Sequence, residues 1–220
     1  MSKNKYKVVC FDLDGTLVDG IDYIYDHLWE FFQIDRTKIA STLTDYRSGA
    51  ITYENLVAND VRALREAGVT RDRFKEALVS LTPMIGARET LLALKERGMK
   101  IALISGSVHL VLKHAFPDYE SLFDHVFLNH YRFDEQGVLQ DAVATRFDDA
   151  HKADGLLHVA EKEGVSPAEC VFIGDNDNDH HIARVAGLTI AFNCKSPELA
   201  AHAHHVIKEK DLRHILALIP

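Results

Sequence analysis

The apolar run Val8-Val9-Cys10-Phe11 ends abruptly in Asp12-Leu13-Asp14-Gly15-Thr16, and this junction constrains the fold more than any other stretch of the chain. A short, continuous apolar run containing β-branched residues reads as a strand buried on both faces of a parallel sheet. The acids then stand where that strand ends and turns, which is where ligand sites of open α/β sheets lie. Two carboxylates at i and i+2 can both face the mouth of the sheet if the backbone bends, and Gly15 permits the bend. Such a pair can bind a metal, attack phosphorus and move a proton. Taken alone, acids followed by Gly are also ordinary turn chemistry, so the rest of the chain has to decide.

After this strand the pattern becomes helical. Ile21 to Ile34 carries Ile24, Leu28, Trp29, Phe31 and Phe32 at helical spacing, and further helices are predicted over Thr37–Tyr46, Tyr53–Ala67 and Arg71–Leu81. Breaks fall at Ser48-Gly49, Gly68 and Thr82-Pro83. Residues 18–85 thus read as a helical domain of four-helix-bundle type, its aromatic residues expected in its own core. From Gly86 a strand and helix rhythm resumes. Strands are predicted at Met99–Ile104, around His125–Asn129, at Cys170–Ile173 and at Leu188–Phe192. Helices are predicted at Ala87–Arg97, Val108–Phe116, Ala153–Gly164, about His180–Ala186 and Lys210–Leu218, with a small hairpin over Arg132–Arg146. The fold class is therefore α/β, a Rossmann-like doubly wound parallel sheet formed by residues 1–17 and 86–220, with the helical domain inserted after the first strand.

Composition limits the partners. With 220 residues, 47% hydrophobic and 26% charged, the chain can bury a sizeable core. Its formal charge of −8 argues against a nucleic-acid surface. No apolar stretch approaches a membrane span, the N-terminal apolar stretch is too short for a signal peptide, and the separated Cys10, Cys170 and Cys194 fit neither a disulfide framework nor a zinc site. A cytoplasmic protein is expected.

Three further features fall at strand ends. Ser105-Gly106-Ser107 precedes a helix and reads as an anion cradle. Gly174-Asp175-Asn176-Asp177-Asn178-Asp179 follows an apolar strand, and its acids could join Asp12 around a hard cation such as Mg2+, which prefers oxygen ligands. Lys152 is the best placed cation to balance phosphate oxygens. His180 and His181, and His202, His204 and His205, read as surface or helix residues, while His109 and His151 lie next to motifs and are expected near the cleft.

The order of these features resembles the haloacid dehalogenase-like phosphatases over almost the whole chain, and among them the phosphoserine phosphatase branch. The resemblance rests on Phe11-Asp12-Leu13-Asp14-Gly15-Thr16-Leu17, Ser105-Gly106, Lys152 and Gly174-Asp175-x-x-Asn178-Asp179, with a similar tail from Ile190 to Leu216. It implies a Mg2+-dependent phosphomonoester hydrolase of a small phosphorylated metabolite, working through an aspartyl-phosphate. It also implies that Asp12 is the nucleophile and Asp14 the general acid and base. Mg2+ would be held by the Asp12 carboxylate, the Asp14 carbonyl and Asp175, with Asp179 close behind. Ser105, Gly106, Lys152 and Asn178 would surround the phosphate, and the helical insertion would be a mobile cap. In the phosphoserine enzymes a carboxylate after the first motif binds the substrate's amino group and a cap arginine its carboxylate. Ungapped placement puts Ile21 and Asp60 at those points. Asp22 or Asp19 is expected to replace the first and Arg47 or Arg62 the second, with Asp22 and Arg47 chosen. Phosphoserine is the leading named substrate. Transfer to another alcohol, a different small metabolite, and a non-catalytic phosphate-binding role are the alternatives.

Overall fold

The computed structural model describes residues 5–220. Strand β1 (Val8–Phe11) is followed by β2 (Val18–Asp19) and by four helices, α1 (Ile24–Phe31), α2 (Arg36–Arg47), α3 (Tyr53–Glu66) and α4 (Arg71–Leu78). Strand β3 (Thr82–Pro83) pairs antiparallel with β2. This ribbon stands where residues 18–85 leave and rejoin the chain. Asp35, Thr52 and Thr70 cap the starts of α2, α3 and α4 through their side chains, satisfying backbone N–H groups that a helix leaves without partners.

The rest alternates. It comprises α5 (Ala87–Glu96), β4 (Lys100–Val108), α6 (His109–Ala115), α7 (Tyr119–Leu122), β5 (His125–Phe133), β6 (Leu139–Val143), α8 (Lys152–Glu163), β7 (Cys170–Gly174), α9 (His180–Ala183), β8 (Leu188–Phe192), α10 (Pro197–His202) and β9 (His205–Ile207). The seven strands of the main sheet run in the order β6-β5-β4-β1-β7-β8-β9. All pair in parallel except β6 against β5. Because β1 is flanked by β4 on one side and β7 on the other, the ends of these three strands open into the crevice where the winding reverses.

Alternation along β1 explains its sequence. Val9 and Phe11 join the larger core with helices α1 and α3 to α6 and the C-terminal segment. Val8 and Cys10 face the opposite side with Leu156 and Val159 of α8. A strand buried on both faces has no polar position to spare, hence the unbroken apolar run.

Several expectations shift. Ser105 to Val108 continue β4, so the expected helix start of the Ser-Gly-Ser turn lies later, at His109. The C-terminal segment is a 3-10 helix over Leu212–Ala217, α9 is a single turn, and the expected hairpin begins inside β5. The helix predicted from Ile21 starts at Ile24 because Asp14 Oδ2 accepts a hydrogen bond from the Ile24 N–H at 2.8 Å. His205 lies in a strand, at the edge of the sheet. All three cysteines are free. Among the described residues no helix is long and apolar enough to cross a membrane.

One packing contact is strict. Gly187, before β8, donates its N–H to the Pro167 carbonyl at 3.0 Å, and a Cβ there would lie 2.0 Å from the Ala168 carbonyl oxygen. Backbone cannot swing aside as a side chain can. Gly187→Ala is expected to lower the urea-unfolding free energy by about 1–3 kcal/mol, read from the shift of the denaturation midpoint.

Candidate active site

Four acids and a lysine converge at the ends of β1 and β7. Asp12 follows β1, and its N–H is held by the Ile173 carbonyl at 2.9 Å. Gly15 turns the chain with φ 72°, and a Cβ there would strike Asp175 Oδ2 at 2.3 Å. This turn therefore needs glycine twice over, for its dihedral and for the approach of an acid.

Lys152, the first residue of α8, is fully buried. Its Nζ donates to Asp12 Oδ1 at 2.9 Å and to Asp179 Oδ1 at 2.7 Å. The other Asp179 oxygen accepts from the N–H groups of Asp175 and Asn176. Asp175 accepts from Thr16 Oγ1 at 3.2 Å and from Lys195 Nζ at 2.9 Å. One oxygen from each of Asp12, Asp175 and Asp179 lies within 4.8 Å of the others.

This cluster carries more negative charge than its surroundings favour. Burial, then the nearby Asp12 and Asp179, push Asp175 well above the ordinary carboxylate range against the pull of Lys195. Burial also lifts Asp179 to about 6, against Lys152. Burial alone would lower the Lys152 pKa, but Asp12 and Asp179 outweigh it and raise it above the usual lysine value. Three close, buried carboxylate oxygens with incomplete cationic compensation suit a hard divalent cation such as Mg2+.

Asp14 stands apart from that cluster. Its Oδ1 accepts from Ser107 Oγ at 2.7 Å and its Oδ2 from the Ile24 N–H. Burial, then repulsion from Asp12, raise it to about 7 in spite of those bonds. A carboxyl with that value can give and take a proton near neutrality.

Beside these acids lies a cavity of about 310 Å3 roofed by α1, α2 and α3, and Asp12, Asp14, Ser105, Gly106 and Asn178 all line it. Within the Ser105-Gly106-Ser107 turn, the Ser107 N–H donates to Ser105 Oγ at 3.2 Å. The Gly106 carbonyl accepts from Asn129 Nδ2 at 2.6 Å and from the Tyr25 hydroxyl at 3.2 Å. Asp22 and Arg47 also line the cavity, both exposed at its rim, with Asp22 paired to Lys195. Asp19 pairs instead with Lys210, and Arg62 bonds Asn59 on the outer face. Neither borders the cavity. His109 stacks on His130, and His151 pairs with Asp154 in a separate surface groove.

The helical aromatic residues follow expectation only in part. Phe74 is core and Tyr25, Phe32 and Tyr53 pack against it, but Tyr23, Tyr25, Trp29, Tyr46 and Tyr53 also line the cavity. An amphipathic stripe looks the same whether it meets a core or a ligand space, so periodicity could not separate the two. Other site residues carried weaker signals: Ser107 is the second hydroxyl of its turn, Lys195 a cation beyond a strand end, and Asp60 an acid among the apolar positions of α3.

Comparison with known proteins agrees with this geometry. Residues 6–187 match the family model of the haloacid dehalogenase-like hydrolases. The chain is 28% identical over 218 residues to a phosphoserine phosphatase of Methanocaldococcus jannaschii, covering 99% of each. It is 30% identical over 214 residues to one of Wolinella succinogenes, covering 96% of this chain and 98% of that protein. A substrate-bound phosphoserine phosphatase complex superposes with a TM-score of 0.77 at 28% identity, over 98% of this chain and 99% of the other.

Two stability effects follow. Lys152→Met leaves buried carboxylates uncompensated and is expected to cost about 3–5 kcal/mol in urea denaturation with EDTA present, with added Mg2+ restoring part of the loss. Burial alone raises Asp60 from 3.8 to about 7. Its contribution to stability is therefore full below pH about 4, falls as pH rises from there through 7, and is absent above. Asp60→Asn is expected to be the more stable protein at pH 8, by about 4 kcal/mol at most, and denaturation at a series of pH values should show the advantage shrinking toward pH 4.

Proposed function

The chain belongs to the haloacid dehalogenase-like hydrolases as a phosphoric monoester hydrolase, and we propose that it cleaves a small phosphorylated metabolite through an aspartyl-phosphate formed on Asp12. Support comes chiefly from one observation: a buried carboxylate at the end of β1 is held by Lys152 beside a second carboxyl, Asp14, that is near its proton-transfer range. Asp12 attacks phosphorus, the ester P–O bond breaks, and the Asp14 carboxyl gives its proton to the departing alcohol oxygen. Asp14, now ionised, takes a proton from water as the water oxygen attacks the phosphorus. That step releases inorganic phosphate and frees Asp12.

Ser107 and the Ile24 N–H orient Asp14 for both steps. Lys152, Ser105 and Asn178 are assigned to the phosphoryl oxygens, over which charge spreads in a loose transition state. Asp12, Asp175 and Asp179, with the Asp14 carbonyl, would hold Mg2+. When bound, that ion would neutralise phosphate charge during transfer.

Helices α1 to α4 act in this reading as a cap domain over residues 18–85, screening the reacting atoms from bulk water. Phosphoserine is the leading named substrate because the relatives that match along their full length carry that name. Asp22 and Arg47 would meet its charged groups from the rim. The free thiols suit the reducing cytoplasm.

Phosphate release from phosphoserine and p-nitrophenyl phosphate with Mg2+ tests the assignment. Uncatalysed monoester hydrolysis is so slow, with enzymatic accelerations reaching about 10²¹, that Asp12→Asn should fall to background. Excess EDTA should silence the wild type and Mg2+ should restore it. Turnover that survives either treatment would refute the mechanism.

A further inference from the structure

The cavity roofed by α1, α2 and α3 carries polar atoms whose partners the protein does not supply. Asp60 is 4% exposed, and its Oδ1 has no hydrogen-bond partner. Asp148 Oδ1 and Asn178 Oδ1 are likewise buried and unpartnered, and Trp29 Nε1 is the one such donor among the described lining residues. Three orphan acceptors, two of them carboxylate oxygens, stand against a single orphan donor. A ligand that satisfies this wall must bring mainly donors, because a buried polar group without a partner is costly.

Charge points the same way. Among the described residues lining the cavity, Arg47 is the one cation, and it is exposed at the rim. Lys152 is already committed to Asp12 and Asp179. Burial raises the Asp60 pKa to about 7, a penalty on its charged form that a cation bound beside it would offset. Aromatic rings complete the wall. Tyr25 and Trp29 lie with centroids 6.3 Å apart, and Tyr46 and Tyr53 with centroids 5.8 Å apart. The Tyr25 and Tyr53 hydroxyls are both held by Asn129 Nδ2, at 2.7 and 2.8 Å. Rings fixed in this way beside a carboxylate form a site for an organic cation.

We infer that this cavity selects phosphomonoesters whose alcohol carries an ammonium group, held by Asp60 against the rings of Tyr25, Trp29 and Tyr53, and that it requires no carboxylate on that alcohol. This rests on the phosphatase reading and narrows its substrate class to esters of small amino alcohols. In this assignment Asp60, rather than Asp22 at the rim, takes the ammonium of phosphoserine, whose carboxylate meets only the exposed Arg47. The cavity volume of about 310 Å3 admits a leaving group of that size.

Initial rates of the full chain with Mg2+ on O-phosphoethanolamine, phosphoserine, glycerol phosphate and p-nitrophenyl phosphate test it. O-phosphoethanolamine should equal or exceed phosphoserine in kcat/KM and exceed glycerol phosphate by roughly tenfold or more, the usual worth of a hydrogen bond to a charged group. Asp60→Asn should bring that last ratio toward one. Phosphoserine favoured tenfold over O-phosphoethanolamine, or a ratio indifferent to Asp60→Asn, would overturn the inference while leaving the phosphatase intact. Failure on every ester, p-nitrophenyl phosphate included, would instead strike the phosphatase reading. Binding then decides separately, since Trp29 is the sole tryptophan and reports from the cavity wall. In Asp12→Asn protein, saturable quenching by O-phosphoethanolamine at tenfold lower concentration than by glycerol phosphate supports ammonium recognition. Equal affinities refute it.

Discussion

Lys152 is the charge on which the site depends. Its ammonium, taken wholly out of water, bridges a carboxylate at the end of β1 and another in the turn after β7. Buried ion pairs add little net stability, since desolvation offsets their attraction, but losing one partner is severe. The consequence is geometric: α8 cannot slide relative to the two strands without stranding a charge. The same contact holds the Asp12 carboxylate at the crevice where the sheet's winding reverses.

Around that centre the protein accumulates unfavourable features. Three carboxylate oxygens crowd together, Asp14 is raised toward neutrality, and Asp60 Oδ1 is buried without a hydrogen-bond partner. None of these helps the chain fold. Their clustering at one cavity is what is expected where stability has been given up for binding and catalysis. Asn129 of β5 offsets part of this by tying the helical layer to the sheet. Its two amide hydrogens serve three oxygens, the Tyr25 and Tyr53 hydroxyls and the Gly106 carbonyl. A shared donor of this kind can release one partner without losing all of them.

The chemical centre was legible from the chain because its residues sit at strand ends. An apolar run followed by acids, a Ser-Gly turn, a helix-initiating lysine and a Gly-Asp turn are local patterns, and parallel topology brings strand ends together. Asp12, Asp175, Asp179 and Lys152 meet as that logic requires. The cavity wall was not legible in the same way. Trp29, Tyr25 and Tyr53 have the spacing of core residues, and Asp60 falls on the stripe of Val57, Val61 and Leu64 that packs inward. Arg62 reads as well as Arg47 for a substrate contact, yet α3 turns it to the outside.

By itself, the sequence determined the α/β class, the helical insertion and the acids and lysine of the centre, because these follow from backbone periodicity and from turn chemistry within a few residues. Only the tertiary structure decided that Ser107 reaches Asp14, that Lys195 reaches Asp175, and that Asn129 holds Tyr25 at a cavity also lined by the buried Asp60. Those contacts join residues from about 20 to more than 90 positions apart. They depend on which face each helix turns toward the crevice, and a helical repeat leaves that choice to packing.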